Sequence, residues 1–138
     1  HSRVRRQRQM CIRDRNITQI NNFVKLNDDT SIKFLQPDIA RYGGISQIIS
    51  LKDKIVTDKL YLHYLGGAVG LITSGHLMSA INQSGFLEYD INENALRTDI
   101  LKPAVKIRDG YLLLNSSIGI GFNLSEMSKN YLNQYYEL

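Results

Sequence analysis

The chain has 138 residues, 43% of them hydrophobic, with two prolines and no tryptophan, which suits one globular domain or part of a larger one. A net charge of +4 invites a nucleic-acid partner, but six arginines (Arg3, Arg5, Arg6, Arg8, Arg13 and Arg15) against Asp14 give residues 1–15 a charge of +5, and the 11 basic and 12 acidic residues after Arg15 leave −1. A nearly neutral body removes the case for nucleic acid beyond Arg15, and no apolar run approaches the ~20 residues of a membrane span.

Residues 1–15 have no hydrophobic periodicity and resemble translated sequencing-adapter sequence, so they are set aside as an artefactual basic tail. A phosphate-binding arm and a disordered tail are the other readings of the same charge run. Cys11 is the only cysteine, so the rest of the chain has no thiol chemistry and no internal disulfide. No apolar core follows the arginines to make a signal peptide, and the expected location is the cytoplasm.

From Asn16 the pattern becomes regular. Ile17, Ile20, Phe23 and Val24 recur at helical spacing with Asn16 placed as a cap, and the polar cluster Asn27 to Ser31 ends that helix. Ile32 to Leu35 reads as a strand that finishes before Pro37, with Asp38 just past its end. Gly43-Gly44 introduces a second amphipathic helix with Ile45, Ile48, Ile49, Ile55 and Val56 on one face. Leu60 to Leu65 has no polar alternation before His63, as in a strand covered on both sides of a parallel sheet.

Gly66-Gly67 turns the chain into a third helix, Gly70 to Ile81, apolar almost all round and therefore expected to be more buried. Ser84-Gly85 makes a turn, Phe86 to Tyr89 a short third strand, and a polar loop runs on to Leu96-Arg97. Val105 and Ile107 alternate with Lys106 and Arg108, and Asp109-Gly110 signals a two-residue hairpin returning through Tyr111 to Leu114. Gly119 and Gly121 bracket a loop, and Ser125 is placed to cap a last helix through Tyr131.

Helices alternating with strands imply an α/β fold with parallel pairing, and in such sheets ligands sit outside the carboxyl ends of the strands. Asp38, His63 and Glu88 stand at three such ends, equally spaced along the chain. With neighbouring strands ~4.8 Å apart, Asp38 is within reach of His63, and Glu88 lies one strand further along. That is a base, an orienting carboxylate and a second acid. Taken singly, each has a structural reading: Asp38 as a turn residue, His63 as a satisfied strand-end histidine, Glu88 as a solvated carboxylate. His76, inside an apolar helix, reads as a hydrogen-bonded core or rim histidine.

Gln36-Pro37-Asp38 with Arg41-Tyr42-Gly43-Gly44-Ile45, His63-Tyr64-Leu65-Gly66-Gly67 with Gly70-Leu71, and Leu87-Glu88-Tyr89-Asp90 with Asn94-Ala95-Leu96-Arg97 form an ordered set. Over residues 16–138 this set resembles the last third of the mandelate racemase subgroup (mandelate racemase/muconate lactonizing enzyme family) of the enolase superfamily. The resemblance implies the carboxyl-terminal part of a modified (β/α)8, TIM-like barrel, strands six to eight plus a hairpin and tail. It divides the chain into a partial barrel at 16–101 and a segment at 102–138 that packs toward a capping domain outside this sequence. Leu62 stands where the family commonly has a proline before the histidine.

By the same resemblance His63 is the general base that removes the proton alpha to a substrate carboxylate, Asp38 orients it, and Glu88 is the acid that hydrogen-bonds the developing enolate. The implied cofactor is Mg2+, with its carboxylate ligands upstream of Asn16, and the full-length protein is expected to be a homo-oligomer acting on a small carboxylate or acid sugar. Racemisation and acid-sugar dehydration share this equipment, whereas a muconate-lactonising relative would use paired lysines. The expectation is a fragment of a racemase, epimerase or dehydratase, inactive as this chain. A non-catalytic α/β binding or interaction module is the alternative, and it leaves the matched trio unexplained.

Overall fold

The computed structural model describes residues 19–30, 32–82 and 85–132. The segment 1–15, the expected cap Asn16 with Ile17, and the turn residue Ser84 lie outside the described residues. The chain forms two compact units, one of residues up to Tyr64 with Leu77–Glu88, the other of Leu65–His76 with residues from Tyr89 onward.

In the first unit, helix α1 (Ile20–Asn27) starts after Gln19 and ends at the expected polar cluster. Helix α2 (Ile45–Lys52) follows Gly44, whose φ of 84° suits a residue without a Cβ. The inward face of α2 is narrower than expected. Ile48 and Leu51 are fully buried while Ile45 and Ile49 are about half exposed, and Ile55 and Val56 fall beyond the helix, ahead of a 3-10 turn at Thr57–Lys59. A period of 3.6 allows one stripe inward, and the turn after Lys52 takes the last two apolar residues off that stripe.

The three expected strands are extended segments rather than continuous ladders. Leu35 pairs with Leu60 and Asp38 with His63 as isolated parallel bridges, so both pairs keep one and the same register. Leu35 N donates to Lys59 O at 2.7 Å, Tyr61 N to Leu35 O at 2.9 Å and His63 N to Pro37 O at 3.1 Å. The missing rung would need an N–H from Pro37, which has none. The third segment is tied to the second through Glu88 N, which donates to Leu62 O at 3.4 Å. Leu62 N is turned instead to Met78 Sδ, 3.3 Å away, so regular pairing does not extend on that side.

Side chains alternate across these segments. Leu35, Leu60 and Leu62 are fully buried against Phe23, Ile48, Leu51, Leu77 and Met78, and Leu87 packs at the edge of the same cluster. The opposite face carries Phe34, Tyr61 and Phe86, with Phe34 edge-on to Tyr61 at 4.9 Å and Phe86 stacked on it at 6.3 Å. Two residues further along each segment, the same alternation brings up Gln36, His63 and Glu88. Asn82, just past helix α3 (Ala68–Ile81), donates to Leu60 O at 3.0 Å and Thr57 O at 3.3 Å, anchoring the start of the central segment.

The second unit takes the first part of α3, which begins two residues before the expected Gly70. Ala68, Leu71, Ile72 and Ser74 are buried, whereas Val69 is 43% exposed, so the helix is not covered all round. Gly75 permits a close approach: a Cβ there would meet Leu112 Cδ2 at 2.8 Å and Leu114 Cδ2 at 3.1 Å. The polar loop contains a helical turn, α4 (Ala95–Thr98), capped by Asn94, whose side chain accepts from Leu96 N at 3.0 Å.

Strand β1 (Leu101–Lys102) pairs antiparallel with β4 (Asn123–Leu124), and β2 (Ile107–Arg108) with β3 (Tyr111–Leu112). The second pair is the expected hairpin: Asp109 and Gly110 both have positive φ, 53° and 81°, as a two-residue turn of the primed class requires. Ser125 Oγ accepts from Ser128 N at 3.2 Å, capping a turn that leads into α5 (Ser128–Leu132), two residues later than a cap at Ser125 suggested. Among the described residues no helix is long and apolar enough to cross a membrane.

Candidate active site

All three ionisable strand-end residues belong to the first unit, and its register brings them together. His63 Nδ1 lies 3.1 Å from Asp38 Oδ2, and both residues are nearly buried, at 6% and 7% exposure. The other carboxylate oxygen, Asp38 Oδ1, accepts from Ala40 N at 2.8 Å and Arg41 N at 3.2 Å. The turn after Pro37 therefore grips Asp38 from behind while Asp38 grips the imidazole. The structural reading of Asp38 as a turn residue and the functional one describe two oxygens of one side chain.

A carboxylate can only accept, so Nδ1 must carry the proton of this hydrogen bond. In the neutral imidazole that leaves the lone pair on Nε2. Nε2 is buried, makes no hydrogen bond among the described residues, and faces Glu88 Oε2 at 3.7 Å. Glu88 is more open, with a side-chain exposure of 27%. A proton acceptor thus points toward an acid that solvent or substrate can approach.

Gln36 joins this cluster although its residue type and position in the Gln36-Pro37-Asp38 motif did not mark it as a candidate. Its Nε2 donates to Glu88 Oε2 at 3.5 Å. The signal that could have found it is spacing, because Gln36 is two residues before Asp38 and so shares its face of the segment. His76 is the satisfied histidine that its surroundings suggested: half-buried, with Nε2 3.1 Å from Ile120 O.

These residues do not make a magnesium site by themselves. Mg2+ asks for near-octahedral oxygen ligation, yet both Asp38 oxygens are engaged and the third member of the trio is a nitrogen base. Among the described residues, no three His, Cys, Asp or Glu side chains gather as a metal site.

The chain matches the family described as enolase C-terminal domain-like over residues 1–128. It belongs to that family, within the enolase superfamily. It is also similar to an arabinonate dehydratase of Saccharolobus solfataricus, 27% identical over 106 residues, which cover 75% of this chain and 28% of the relative. The aligned part thus spans little more than a quarter of that relative. The trio and its dyad sit inside the matched region.

Proposed function

We propose that this chain is the carboxyl-terminal part of a Mg2+-dependent enzyme, strands six to eight of its barrel, that removes the proton alpha to the carboxylate of a hydroxy acid or acid sugar. The observation that carries the reading is the directed dyad: Asp38 holds His63 through Nδ1, and Nε2 is left as the base, aimed toward Glu88. The dehydratase relative favours elimination over racemisation and an acid sugar over a simpler acid.

In the first step His63 Nε2 takes the alpha-proton, and the C–H electron pair becomes the carbon–carbon double bond of an enediolate. Asp38 stays ionised and keeps the imidazolium in place. Glu88, in its acid form, donates a hydrogen bond to the developing oxyanion. In the second step the enediolate expels the beta-hydroxyl, which leaves as water with the proton carried by His63, and the enol product tautomerises to a 2-keto acid. Delivery of a proton to the opposite face of the alpha-carbon instead gives the racemase outcome.

A divalent magnesium ion supplies charge stabilisation to such an enediolate when bound, and its ligands would come from sequence outside this chain. On this reading the 138 residues by themselves neither hold Mg2+ specifically nor turn over substrate.

The test is to express the complete reading frame that contains this chain and follow deuterium incorporation at the alpha-carbon by mass spectrometry, across a panel of hydroxy and sugar carboxylates. Magnesium-dependent exchange on at least one of them is expected, and its loss in folded His63→Asn. Exchange that survives undiminished on the His63 side in that variant refutes His63 as base, and no exchange from the unsubstituted protein on any substrate refutes the function.

A further inference from the structure

Of the three ionisable residues, Glu88 is held most loosely by the backbone. The segments bearing Asp38 and His63 share three hydrogen bonds of 2.7 to 3.1 Å, whereas the Glu88 segment is tied to its neighbour by Glu88 N to Leu62 O at 3.4 Å. Asp38 is fixed by two backbone N–H groups and His63 by Asp38.

Gln36 is placed to hold the Glu88 carboxyl. It stands on the first segment and Glu88 on the third, 52 residues apart in sequence, and its amide reaches past the His63 segment to donate to Glu88 Oε2 at 3.5 Å. The same oxygen faces His63 Nε2 at 3.7 Å. One carboxyl oxygen is therefore set between an amide that can hold it and the His63 imidazole.

We propose that Gln36 is a positioning residue for Glu88, keeping the carboxyl turned toward His63 in both of its protonation states. The reading rests on the function proposed above, in which Glu88 in its acid form hydrogen-bonds the developing oxyanion. A glutamine amide has both a donor and an acceptor. It donates Nε2–H to Oε2 of the ionised carboxylate and equally to Oε2 as the carbonyl oxygen of the acid, which leaves the acid proton on Oε1 for the oxyanion. Methionine offers neither, and an ionised glutamate accepts only.

The experiment is a double-mutant cycle in the protein expressed from its complete reading frame, with kcat and KM for alpha-proton exchange measured for Gln36→Met, Gln36→Glu, Glu88→Gln and the doubles. One hydrogen bond realised in the transition state corresponds to about a tenfold loss in kcat, so Gln36→Met is expected to lower kcat about tenfold with KM little changed. Gln36→Glu should lose more, because it sets a second carboxylate against Glu88. In the Glu88→Gln background Gln36→Met should cost less than about twofold, since residues acting through one another are not additive.

A structural role would instead give losses that multiply across the two backgrounds, and that result overturns the proposal. Thermal unfolding accompanies each variant. Should Gln36→Met fail to fold, the cycle is read from the near-isosteric Gln36→Glu, whose loss must likewise vanish in the Glu88→Gln background. No exchange from the unsubstituted protein overturns the parent reading and this one with it, whereas exchange there with additive losses overturns this one by itself.

Discussion

Two ionic clusters in this chain are built in opposite ways. Asp38, His63 and Glu88 come from segments far apart in sequence and meet only because parallel register aligns them. The cluster around Arg97 closes within residues 89–97. Asp90 Oδ1 accepts from Asn92 N at 2.9 Å and from its side chain at 2.7 Å, Arg97 Nη1 lies 3.6 Å from Asp90 Oδ2, and Nη2 donates to Asn92 O. The guanidinium also lies 5.0 Å over the Tyr89 ring. Arg97 Nε makes no hydrogen bond among the described residues, but the charge itself is matched on several sides.

The local cluster spends its hydrogen-bonding groups on its own loop, which makes it a clasp. In the register-built cluster His63 commits Nδ1 to Asp38 and leaves Nε2, without a hydrogen bond among the described residues, facing Glu88. That asymmetry is what acid–base chemistry needs: a group fixed on one flank and unsatisfied on the other.

The largest expected effect comes from inverting the fixed flank. In Asp38→Asn, Oδ1 can still accept from Ala40 N and Arg41 N, but an amide N–H now meets His63 Nδ1 and drives the imidazole proton to Nε2. Activity in the complete protein should fall by about 10² or more, as for loss of a general base, with thermal stability nearly kept. Activity close to that of the unsubstituted protein would show that the Asp38 bond is structural, like the Arg97 clasp.

The register can also be attacked from the core. Leu62 is fully buried beneath the site and its carbonyl receives Glu88 N. Leu62→Ala should cost about 3 kcal/mol of unfolding free energy, read from the urea midpoint. The same change should leave the Arg97 cluster untouched, because its bonds are made within its own loop.

The smallest effect concerns acid. The Asn92 N–H donating to Asp90 holds that carboxyl below its ordinary value of 3.8, with the Asn92 amide and Arg97 acting in the same direction. A depressed folded-state value contributes stability above the ordinary carboxylate range, and that contribution is lost as pH falls through the lowered value. The stability gap between the unsubstituted protein and Asp90→Asn should therefore be present near neutral pH and close on acidification below about pH 4. A gap independent of pH, measured by urea unfolding, would mean that Asp90 acts through shape rather than charge.

Much of this was open to reading in the chain itself. Hydrophobic period located α2 and α3, and Asp109-Gly110 announced its hairpin, because these depend on neighbours within a few residues. The lack of alternation in Leu60 to Leu65 suggested cover on both sides, whereas Leu60 and Leu62 are buried and Leu65 is 46% exposed. The equal spacing of Asp38, His63 and Glu88 marked the trio before any geometry was known, since parallel strand–helix units of one length place equivalent residues at one level. The pairing of β1 with β4 stayed hidden, because such short strands carry too little pattern and each partner lies well along the chain, Leu101 opposite Leu124 and Lys102 opposite Asn123.

Only the tertiary structure decided the rest. It broke the first ladder at Pro37, turned Leu62 N to Met78 Sδ, and set Ile45 and Ile49 on the flank of α2 rather than inward. It also brought the Gln36 amide across to Glu88 and chose which imidazole nitrogen Asp38 would hold. Residue type and spacing determine which chemistry can assemble at a strand end. Which oxygen meets which nitrogen depends on side-chain angles and on a register shared between segments far apart in sequence, and those belong to the packed chain.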